Sequence, residues 1–243
     1  MTHRTRFGVV GRGTVAALSI ALALGGCDPK RPGGRHDDAG YEPPAVPEGA
    51  APPVLEPGTT VFVDDFSAGR LDPAVWNATR PVYEVRDGAL HVREAKNHPL
   101  WLGVPLPCNV QLDFTARSGS PDGDIKFEVF GDGRSFARQA SYAATGYVFL
   151  FGGWRNSVSA IVRQDEHRAR MVTDESRRVE PGRTYRFTVR IRGGSIDWSI
   201  DGEPFLHADD PVPLCGAGRA HFAFNDWSVP LVFDDLTITA LGE

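Results

Sequence analysis

Short segments in which apolar and polar residues alternate recur through most of this chain, and they restrict its fold more than any other feature. The clearest one places Tyr185, Phe187, Val189 and Ile191 between polar neighbours. A period of two predicts an antiparallel strand with one buried face. Similar alternation is found at 111–116 and 125–129, and turn-forming pairs lie between segments at Asp87-Gly88, Asp122-Gly123, Asp132-Gly133, Gly193-Gly194 and Asp201-Gly202. We therefore predict an all-β antiparallel sandwich, with one helical turn at 72–77 capped by Asp72.

Four motifs make this prediction more specific. They are FVDDF at 62–66, YEVRDGAL at 83–90, IDWSIDGEPF at 196–205 and FDDLTI at 233–238. Together they resemble the concanavalin A-like lectin and glucanase jelly rolls, which include laminin G-like domains and family 16 glycoside hydrolases. The resemblance extends over residues 61–241. It implies a jelly-roll fold, but that fold carries lectins, hydrolases, lyases and adhesion modules alike.

The N-terminal segment has the order of an export signal. Arg4, Arg6 and Arg12 precede an apolar stretch at 15–24, and small residues stand directly before Cys27. Residues 24–27 (LGGC) resemble the lipobox of bacterial lipoproteins. This resemblance implies that the signal 1–26 is removed and that Cys27 receives fatty acids such as palmitate. An ordinary secretory signal with an incidental cysteine is the alternative.

The segment after Cys27 separates the anchor from the folded part. Residues 28–58 contain eight prolines and few large apolar side chains, so we expect a disordered tether and a folded domain at 59–243. The whole chain carries a formal charge of -5, and loss of the three signal arginines makes it about -8. This charge argues against nucleic acid as a partner. An acidic chain is also not attracted to anionic lipid, so the acyl chains must anchor the protein to the membrane. We expect it to face the periplasm or the cell surface.

The two cysteines of the predicted domain, Cys108 and Cys215, each follow a proline-containing approach to a strand. Outside the cytoplasm a pair of thiols is more often a disulfide than a reactive site. We therefore predict a bridge between them, although spacing alone does not supply its geometry.

Two polar clusters with tryptophan predict a ligand site. The aromatic ring can cover the apolar face of a sugar while amide, guanidinium and carboxylate groups bind its hydroxyls. The alternative is that both tryptophans belong to the core and the charged residues form surface ion pairs. The candidate binding residues are Trp154, Arg155, Asn156, Arg163, Asp165, His221, Asn225 and Trp227.

A catalytic site is less well marked. Family 16 hydrolases carry Glu-x-Asp-x-(x)-Glu on one strand, and the nearest match here runs from Asp122 through Asp124 and Lys126 to Glu128. The spacing is one residue too long and Lys126 would neutralise the acids. Asp165, Glu166 and His167 are better acid–base candidates by chemistry, and Glu166 and His167 are the catalytic residues that we predict. If 159–167 is one strand, however, adjacent residues point to opposite faces, so Asp165 and Glu166 could not both act on one bond.

The first and last strands usually pair in the resembled fold, which would bring Asp65 close to Asp234. These carboxylates either cap turns or hold a structural calcium ion, because hard cations prefer several oxygen ligands. No cofactor is required by any other motif. Three functions stay open: a lectin-like domain binding a glycan or cell-wall polysaccharide, a glycoside hydrolase or polysaccharide lyase, and a non-catalytic module for protein interaction in the envelope.

Overall fold

The computed structural model describes residue 49 and residues 51–138, 142–168 and 170–242. The predicted signal and Cys27 lie outside these residues, as does most of the predicted tether. The end of that tether already contacts the domain, because the Gly58 N–H donates to the Ala240 carbonyl at 2.8 Å. Among the described residues, no helix is long and apolar enough to cross a membrane.

The described residues form two antiparallel sheets, as the alternation predicts. The strands are β1 (Thr60–Asp64), β2 (Trp76–Ala78), β3 (Tyr83–Arg86), β4 (Ala89–Val92), β5 (Leu100–Leu102), β6 (Val110–Ser118), β7 (Ile125–Gly131), β8 (Ala143–Gly152), β9 (Val158–Asp165), β10 (Arg170–Asp174), β11 (Thr184–Arg192), β12 (Ser195–Ile200), β13 (Glu203–Asp209), β14 (His221–Asn225) and β15 (Leu231–Ala240). A short left-handed turn, α1 (Gly153–Asn156), connects β8 to β9.

The strand order places distant parts of the chain side by side. In the described residues the first sheet has the order β13-β12-β11-β6-β15-β4-β3, with β1 also paired to β15. The second has the order β10-β9-β8-β7-β14-β5-β2. Asp64 lies opposite Leu236 in the β1–β15 ladder, which confirms the pairing of the first and last strands. These two sheets form the predicted jelly-roll sandwich.

Aromatic side chains fill the space between the sheets. Phe114 on β6 stacks on Phe187 of β11 with ring centroids 5.3 Å apart, and it meets Phe127 of β7 edge to face at 5.0 Å. Such pairs add about 0.5–1.5 kcal/mol beyond the area that they bury. The alternating apolar residues of β6, β7 and β11 therefore form the core between the sheets.

The predicted helical turn at 72–77 is a single hydrogen-bonded turn followed by β2. The N–H groups of Val75 and Trp76 both donate to the Asp72 carbonyl, and the Asp72 carboxylate accepts from the Ala74 N–H at 2.9 Å. Asp72 thus caps this turn from both its carbonyl and its side chain.

The predicted disulfide is confirmed. Cys108 and Cys215 are bridged, and they lie 107 residues apart in the sequence. The bridge joins the loop before β6 to the loop before β14, so it ties one sheet to the other.

The second sheet differs from the first in being buried on both sides along β7. In β11 the residues alternate between buried and exposed, whereas every residue of β7 is buried. A second apolar cluster covers part of the outer face of this sheet, including Tyr142, Val148, Leu150 and Val162. The polar residues Lys126 and Glu128 of β7 are therefore enclosed, although they point away from the main core.

Candidate functional site

A cleft of about 450 Å³ opens on the outer face of the second sheet. It is bordered by two loops that each carry a tryptophan and has charged residues at its floor. Its lining residues are Asn97, Asp122, Asp124, Lys126, Leu150, Trp154, Arg155, Glu166, His167, Trp227, Ser228 and Val229. Of the eight predicted binding residues, Trp154, Arg155 and Trp227 line this cleft, as do the predicted catalytic residues Glu166 and His167.

One wall is formed by the segment that connects β8 to β9. Four of the five residues from 152 to 156 have left-handed backbone conformations. The φ angles are 69° at Gly152, 48° at Trp154, 60° at Arg155 and 59° at Asn156. Left-handed conformations cost roughly 1–2 kcal/mol for a residue with a side chain. Such strain persists only where the surroundings enforce it, and it is concentrated at functional sites.

The side chain of Asn156 holds this segment in its left-handed conformation. Its amide nitrogen donates to the carbonyls of Pro121 at 3.1 Å and Val179 at 2.8 Å, and its amide oxygen accepts from the Val179 N–H at 2.8 Å. These three bonds tie the segment to two neighbouring loops. Gly152 is required beside it, since a Cβ there would lie 2.4 Å from the Asn156 oxygen. Asn156, predicted as a ligand contact, therefore braces the wall.

The opposite wall is formed by the loop after β14. The Asp226 carboxylate accepts from the Ala95 N–H at 3.1 Å and from the Val229 N–H at 3.0 Å. The Trp227 carbonyl accepts from the Lys96 N–H at 2.9 Å. These bonds hold Trp227 at the cleft with 40% of its surface exposed.

Each tryptophan carries a cation on its ring. The Arg170 guanidinium lies 4.0 Å from the Trp154 ring centre, and the Lys96 Nζ lies 4.7 Å from that of Trp227. A cation over an aromatic ring is worth about 0.5–1 kcal/mol at an exposed site. Both rings are therefore held in place by contacts outside the cleft.

A buried ion pair forms the floor. Lys126 Nζ lies 2.9 Å from Glu166 Oε2 and donates to Asn97 Oδ1 at 2.9 Å. Asn97 Nδ2 in turn donates to Glu166 Oε1 at 3.3 Å. The side chains of Lys126 and Glu166 are only 3% and 7% exposed. The sequence predicted Lys126 only as a charge that neutralises neighbouring acids. In the structure, Lys126 links β7 to the turn after β9 through its ion pair with Glu166.

Three further carboxyl groups surround this pair, and each has a raised pKa. Burial, the largest cause, raises the pKa of Asp124 to about 6, of Asp226 to about 7 and of Glu128 to about 8. The Lys126 ammonium opposes these shifts, and the nearby carboxylates raise the pKa of Lys126 against the effect of its own burial. Four carboxyl groups thus lie around one ammonium group in the described part of the molecule.

Glu128 does not reach the cleft. Its oxygens accept from Asn225 Nδ2 at 2.7 Å and from the Tyr142 hydroxyl at 3.1 Å, and both partners are buried. Asn225, predicted as a ligand contact, holds this carboxyl group instead. The segment from Asp122 to Glu128 was the nearest match to the family 16 motif. Of its charged residues, Asp122, Asp124 and Lys126 line the cleft.

Glu166 and His167 meet the cleft together because the strand ends before them. β9 stops at Asp165, whose carboxylate accepts from the His167 N–H at 2.9 Å in a turn. The strand alternation expected for 159–167 therefore does not extend to these two residues. His167 Nε2 lies 3.6 Å from Glu166 Oε1 and the imidazole is half exposed.

The other predicted binding residues do not line the cleft. Arg163 donates to Asp210 at 2.8 Å and to the Val212 carbonyl at 3.1 Å. Asp165 binds the turn that follows it, and the buried His221 ring contacts the Leu102 carbonyl through Nδ1 at 2.9 Å. Burial lowers the pKa of His221. Its side chain serves the packing between strands β14 and β5.

The candidate calcium residues act in local turns. Asp65 accepts from the Ser67 N–H and hydroxyl at 3.0 Å and 2.6 Å, and Asp234 accepts from the Asp235 N–H at 2.8 Å. Among the described residues, no group of three or more His, Cys, Asp or Glu side chains is arranged to hold a metal ion. Desolvation, and then the charges of neighbouring aspartates including Asp65, raise the pKa of Asp234. Calcium binding here stays a prediction.

Comparison with known proteins supports the fold and leaves the site to be argued from its geometry. No protein-family model matches the chain, and no curated protein matches its sequence. A carbohydrate-binding module, CBM66 from Bacillus subtilis, superposes with a TM-score of 0.54 at 11% identity, covering 68% of this chain and 95% of that one. A B. subtilis protein of unknown function with a galectin-like fold gives 0.55 at 13% identity, covering 76% and 97%. SCLam, a non-specific endo-β-1,3(4)-glucanase of family GH16, gives 0.52 at 11% identity, covering 81% and 96%. The chain therefore has the concanavalin A-like jelly-roll fold that the motifs predicted.

Proposed function

We propose that this domain binds carbohydrate in the cleft between Trp154 and Trp227. The observation that carries the proposal is that both tryptophans line one cleft whose floor is polar and buried. An indole ring covers the apolar face of a pyranose, and polar groups beside it bind the hydroxyls. The carbohydrate-binding and glucanase proteins of the same fold support this class of ligand at the level of fold only.

The arrangement suits a sugar better than a wholly apolar ligand. Leu150 and Val229 supply apolar surface, while Asn97, Asp124 and Glu166 supply polar atoms beneath the rings. A hydrocarbon ligand would cover these polar groups without binding them, which costs free energy. A sugar offers a hydroxyl for each of them.

Binding to a glycan array that includes peptidoglycan fragments tests the proposal. We expect Trp154→Ala and Trp227→Ala each to weaken binding at least about tenfold, equivalent to about 1.4 kcal/mol. Phe136→Ala is the matched control, because Phe136 carries Arg138 on its ring and does not line the cleft. Absence of binding to every glycan, or full affinity in both tryptophan variants, would refute it.

A glycoside hydrolase or polysaccharide lyase is the second candidate. Its support is that Glu166 and His167 line the same cleft, with Oε1 and Nε2 3.6 Å apart. The ion pair counts against Glu166 as the acting group, because its Oε2 is already engaged by Lys126 Nζ at 2.9 Å. Turnover of a bound glycan that is lost in both Glu166→Gln and His167→Ala would establish this activity. Turnover that survives in the double variant would exclude these residues.

We further propose that the domain is held at the membrane through fatty acids on Cys27. The support is the order of charges, apolar stretch and small residues before this cysteine. Labelled palmitate should be incorporated into the wild-type chain and not into Cys27→Ser, which should be released or left unprocessed. Equal labelling of the two proteins would contradict the anchor.

A further inference from the structure

Exposed arginines surround Trp154 at one wall of the cleft. Arg155 follows Trp154 in the left-handed segment, and it lines the cleft. Arg170 on β10 is exposed as well, and its guanidinium lies 4.0 Å from the centre of the Trp154 ring. Two cations are therefore placed beside the tryptophan that we assign to sugar binding.

A third arginine lies next to this wall because of Asn156. The N–H and the carbonyl of Val179 are both bonded to the Asn156 side chain at 2.8 Å, which holds the loop after β10 against the wall. Arg178 directly precedes Val179, and it is exposed whereas Val179 is buried. Its guanidinium donates to the Glu175 carbonyl, a neutral group that leaves its charge uncompensated. We call the three residues the basic rim: Arg155, Arg170 and Arg178.

The basic rim is not neutralised by the part of the chain that the structure describes. The neighbouring Arg168 shows the contrast, since its Nε lies 3.0 Å from Asp165 Oδ2. No arginine of the rim forms an ion pair with a described residue. Asp122 lines the cleft and Glu175 is exposed, but neither of them is paired with the rim. Because the chain as a whole has a formal charge of -5, this group of unpaired cations is a local feature of the Trp154 wall.

The floor and the rim of the cleft differ in the charge that they can accept. At the floor, Lys126 is already bound to Glu166 and Asn97, and Asp124 lies close to it. An anionic group therefore finds no free cation there. At the rim the guanidinium groups are open to solvent, and their planar fork of N–H donors matches the oxygens of a carboxylate or a sulfate.

We propose that the cleft binds an acidic glycan, with a sugar ring against Trp154 or Trp227 and the carboxylate or sulfate groups of the chain on the basic rim. This inference rests on the proposed carbohydrate binding and names the class of glycan. Trp154 joins the two parts of the site, because it lines the cleft while Arg170 lies over its ring. A phospholipid surface would also attract arginines, but it presents no pyranose to the tryptophans. The position of the rim beside the cleft therefore favours a glycan.

Isothermal titration of the purified full chain with two matched pairs of probes tests this inference. The first pair is a galacturonic acid hexamer and its methyl ester, which have the same sugars and differ in charge. The second pair is sulfated cellohexaose and cellohexaose. At low salt we expect the anionic probe to bind roughly tenfold more tightly than its neutral partner, because exposed charge contacts are weak singly but several act together. A preference in one pair alone assigns the rim to carboxylate or to sulfate.

Two double variants locate the effect. Arg155→Gln with Arg178→Gln removes two charges of the rim and leaves the contact of Arg170 in place. It should reduce the preference for the anionic probe at least about threefold, while the affinity for the neutral probe stays unchanged. Arg117→Gln with Arg192→Gln removes the same charge from exposed positions of β6 and β11 and should keep the preference. A circular dichroism spectrum unchanged from wild type shows that each variant is folded.

Salt and the tryptophans provide two further checks. Raising NaCl to about 0.5 M should reduce the preference for the anionic probe, since exposed charges are screened. A preference that salt does not change overturns the inference. Anionic probes that bind the double variant Trp154→Ala with Trp227→Ala as tightly as wild type overturn it as well, because the rim would then bind them without the cleft.

The remaining outcomes separate this inference from the proposed function. Equal affinity for the charged and neutral members of both pairs, or a full preference in the double variant of the rim, overturns the acidic-glycan inference while carbohydrate binding stands. Phosphatidylglycerol vesicles that bind more tightly than the anionic hexamers, and that need Arg155 and Arg178, assign the rim to the membrane and overturn it too. Absence of binding to all four probes and to the wider glycan array overturns both.

Discussion

Lys126 and Glu166 form a buried ion pair, 2.9 Å from Nζ to Oε2, that joins strand β7 to the turn following β9. Asn97 contacts both partners from the loop before β5. Three separate parts of the chain thus meet at the floor of the cleft. Because an ammonium and a carboxylate are both costly to bury alone, each depends on the other for its place.

Replacement of Lys126 by methionine tests how far the cleft depends on this pair. The apolar side chain has a similar length, but it would leave Glu166 and its neighbours without the central ammonium. We expect the free energy of unfolding to fall by about 3–5 kcal/mol, the usual cost of breaking a buried pair. Urea unfolding followed by intrinsic fluorescence measures it.

The other lysine in the described part of the chain provides the control. Lys96 is paired with Glu94 at 2.9 Å, but its side chain is 37% exposed. Lys96→Met should lower stability by only about 1 kcal/mol, because its ion pair is exposed and its contact with the Trp227 ring is worth about 0.5–1 kcal/mol. Equal stability of Lys126→Met and wild type would mean that the pair does not hold the floor together.

The fold could be predicted from the sequence because its main signal is local. Alternation along β6 and β11 depends on neighbouring residues only, and it correctly separated the buried Phe114 and Phe187 from their more exposed polar neighbours. In β7 it placed Phe127 in the core, but it did not show that Lys126 and Glu128 beside it are buried as well. The disulfide followed from the number of cysteines and from the predicted location outside the cytoplasm. The tryptophans of the cleft were found because tryptophan beside polar residues stands out in any sequence.

The rest of the site depends on contacts that no local pattern reveals. The enclosure of Glu128 is due to Tyr142 and Asn225, which lie far from it in sequence. The sequence around Asn156 does not show whether its side chain binds a ligand or another part of the protein. Only the structure shows that it is hydrogen-bonded to Val179. The strand alternation failed at Glu166 because β9 ends one residue earlier. All three features depend on tertiary contacts, and these contacts determine which polar residues face the cleft.

The disulfide should contribute substantially to stability without touching the cleft. Cys108 and Cys215 close a loop of about 107 residues. In the chain-entropy model a loop of this length is worth roughly 4–5 kcal/mol. Reduction, or the double variant Cys108→Ser with Cys215→Ser, should lower the free energy of unfolding by an amount of this order. Glycan affinity measured well below the new midpoint should stay unchanged, and a midpoint insensitive to reductant would contradict the prediction.

Asn156 should act on ligand affinity through the wall that it braces. Asn156→Ala removes all three side-chain bonds to Pro121 and Val179, and it leaves a left-handed residue without support. We expect a loss of about 1–3 kcal/mol in stability together with weaker glycan binding.

A second variant separates the strain from the brace. Asn156→Gly also removes the bonds but accepts the left-handed backbone, so it should recover up to about 1 kcal/mol of the lost stability relative to alanine. Binding should stay weak in both variants, because Trp154 is no longer fixed. Wild-type affinity in Asn156→Ala would show that the segment needs no brace.

The buried carboxyl groups should make the domain less stable as the pH rises. Burial raises the pKa of Glu128 from 4.5 to about 8, with Lys126 lowering it and Glu166 raising it further. Between these two values the folded protein keeps a proton that the unfolded chain has released. Stability is therefore greatest below about pH 4.5 for this group and declines until the pH passes about 8. Asp226 and Asp124 act in the same direction over narrower ranges.

Glu128→Gln isolates the contribution of this one group. The amide stays neutral at every pH, and it can accept from Asn225 while donating to the Tyr142 oxygen. Wild type should lose up to about 1.4 kcal/mol per pH unit for each proton involved, and the variant should show a shallower slope between about pH 5 and 8. Glu84→Gln, which removes an exposed carboxylate from β3, is the matched control and should keep the wild-type slope. The stability of each protein is measured by urea unfolding at several pH values across this range. If stability falls as steeply with pH in Glu128→Gln as in wild type, Glu128 is already ionised in the folded protein.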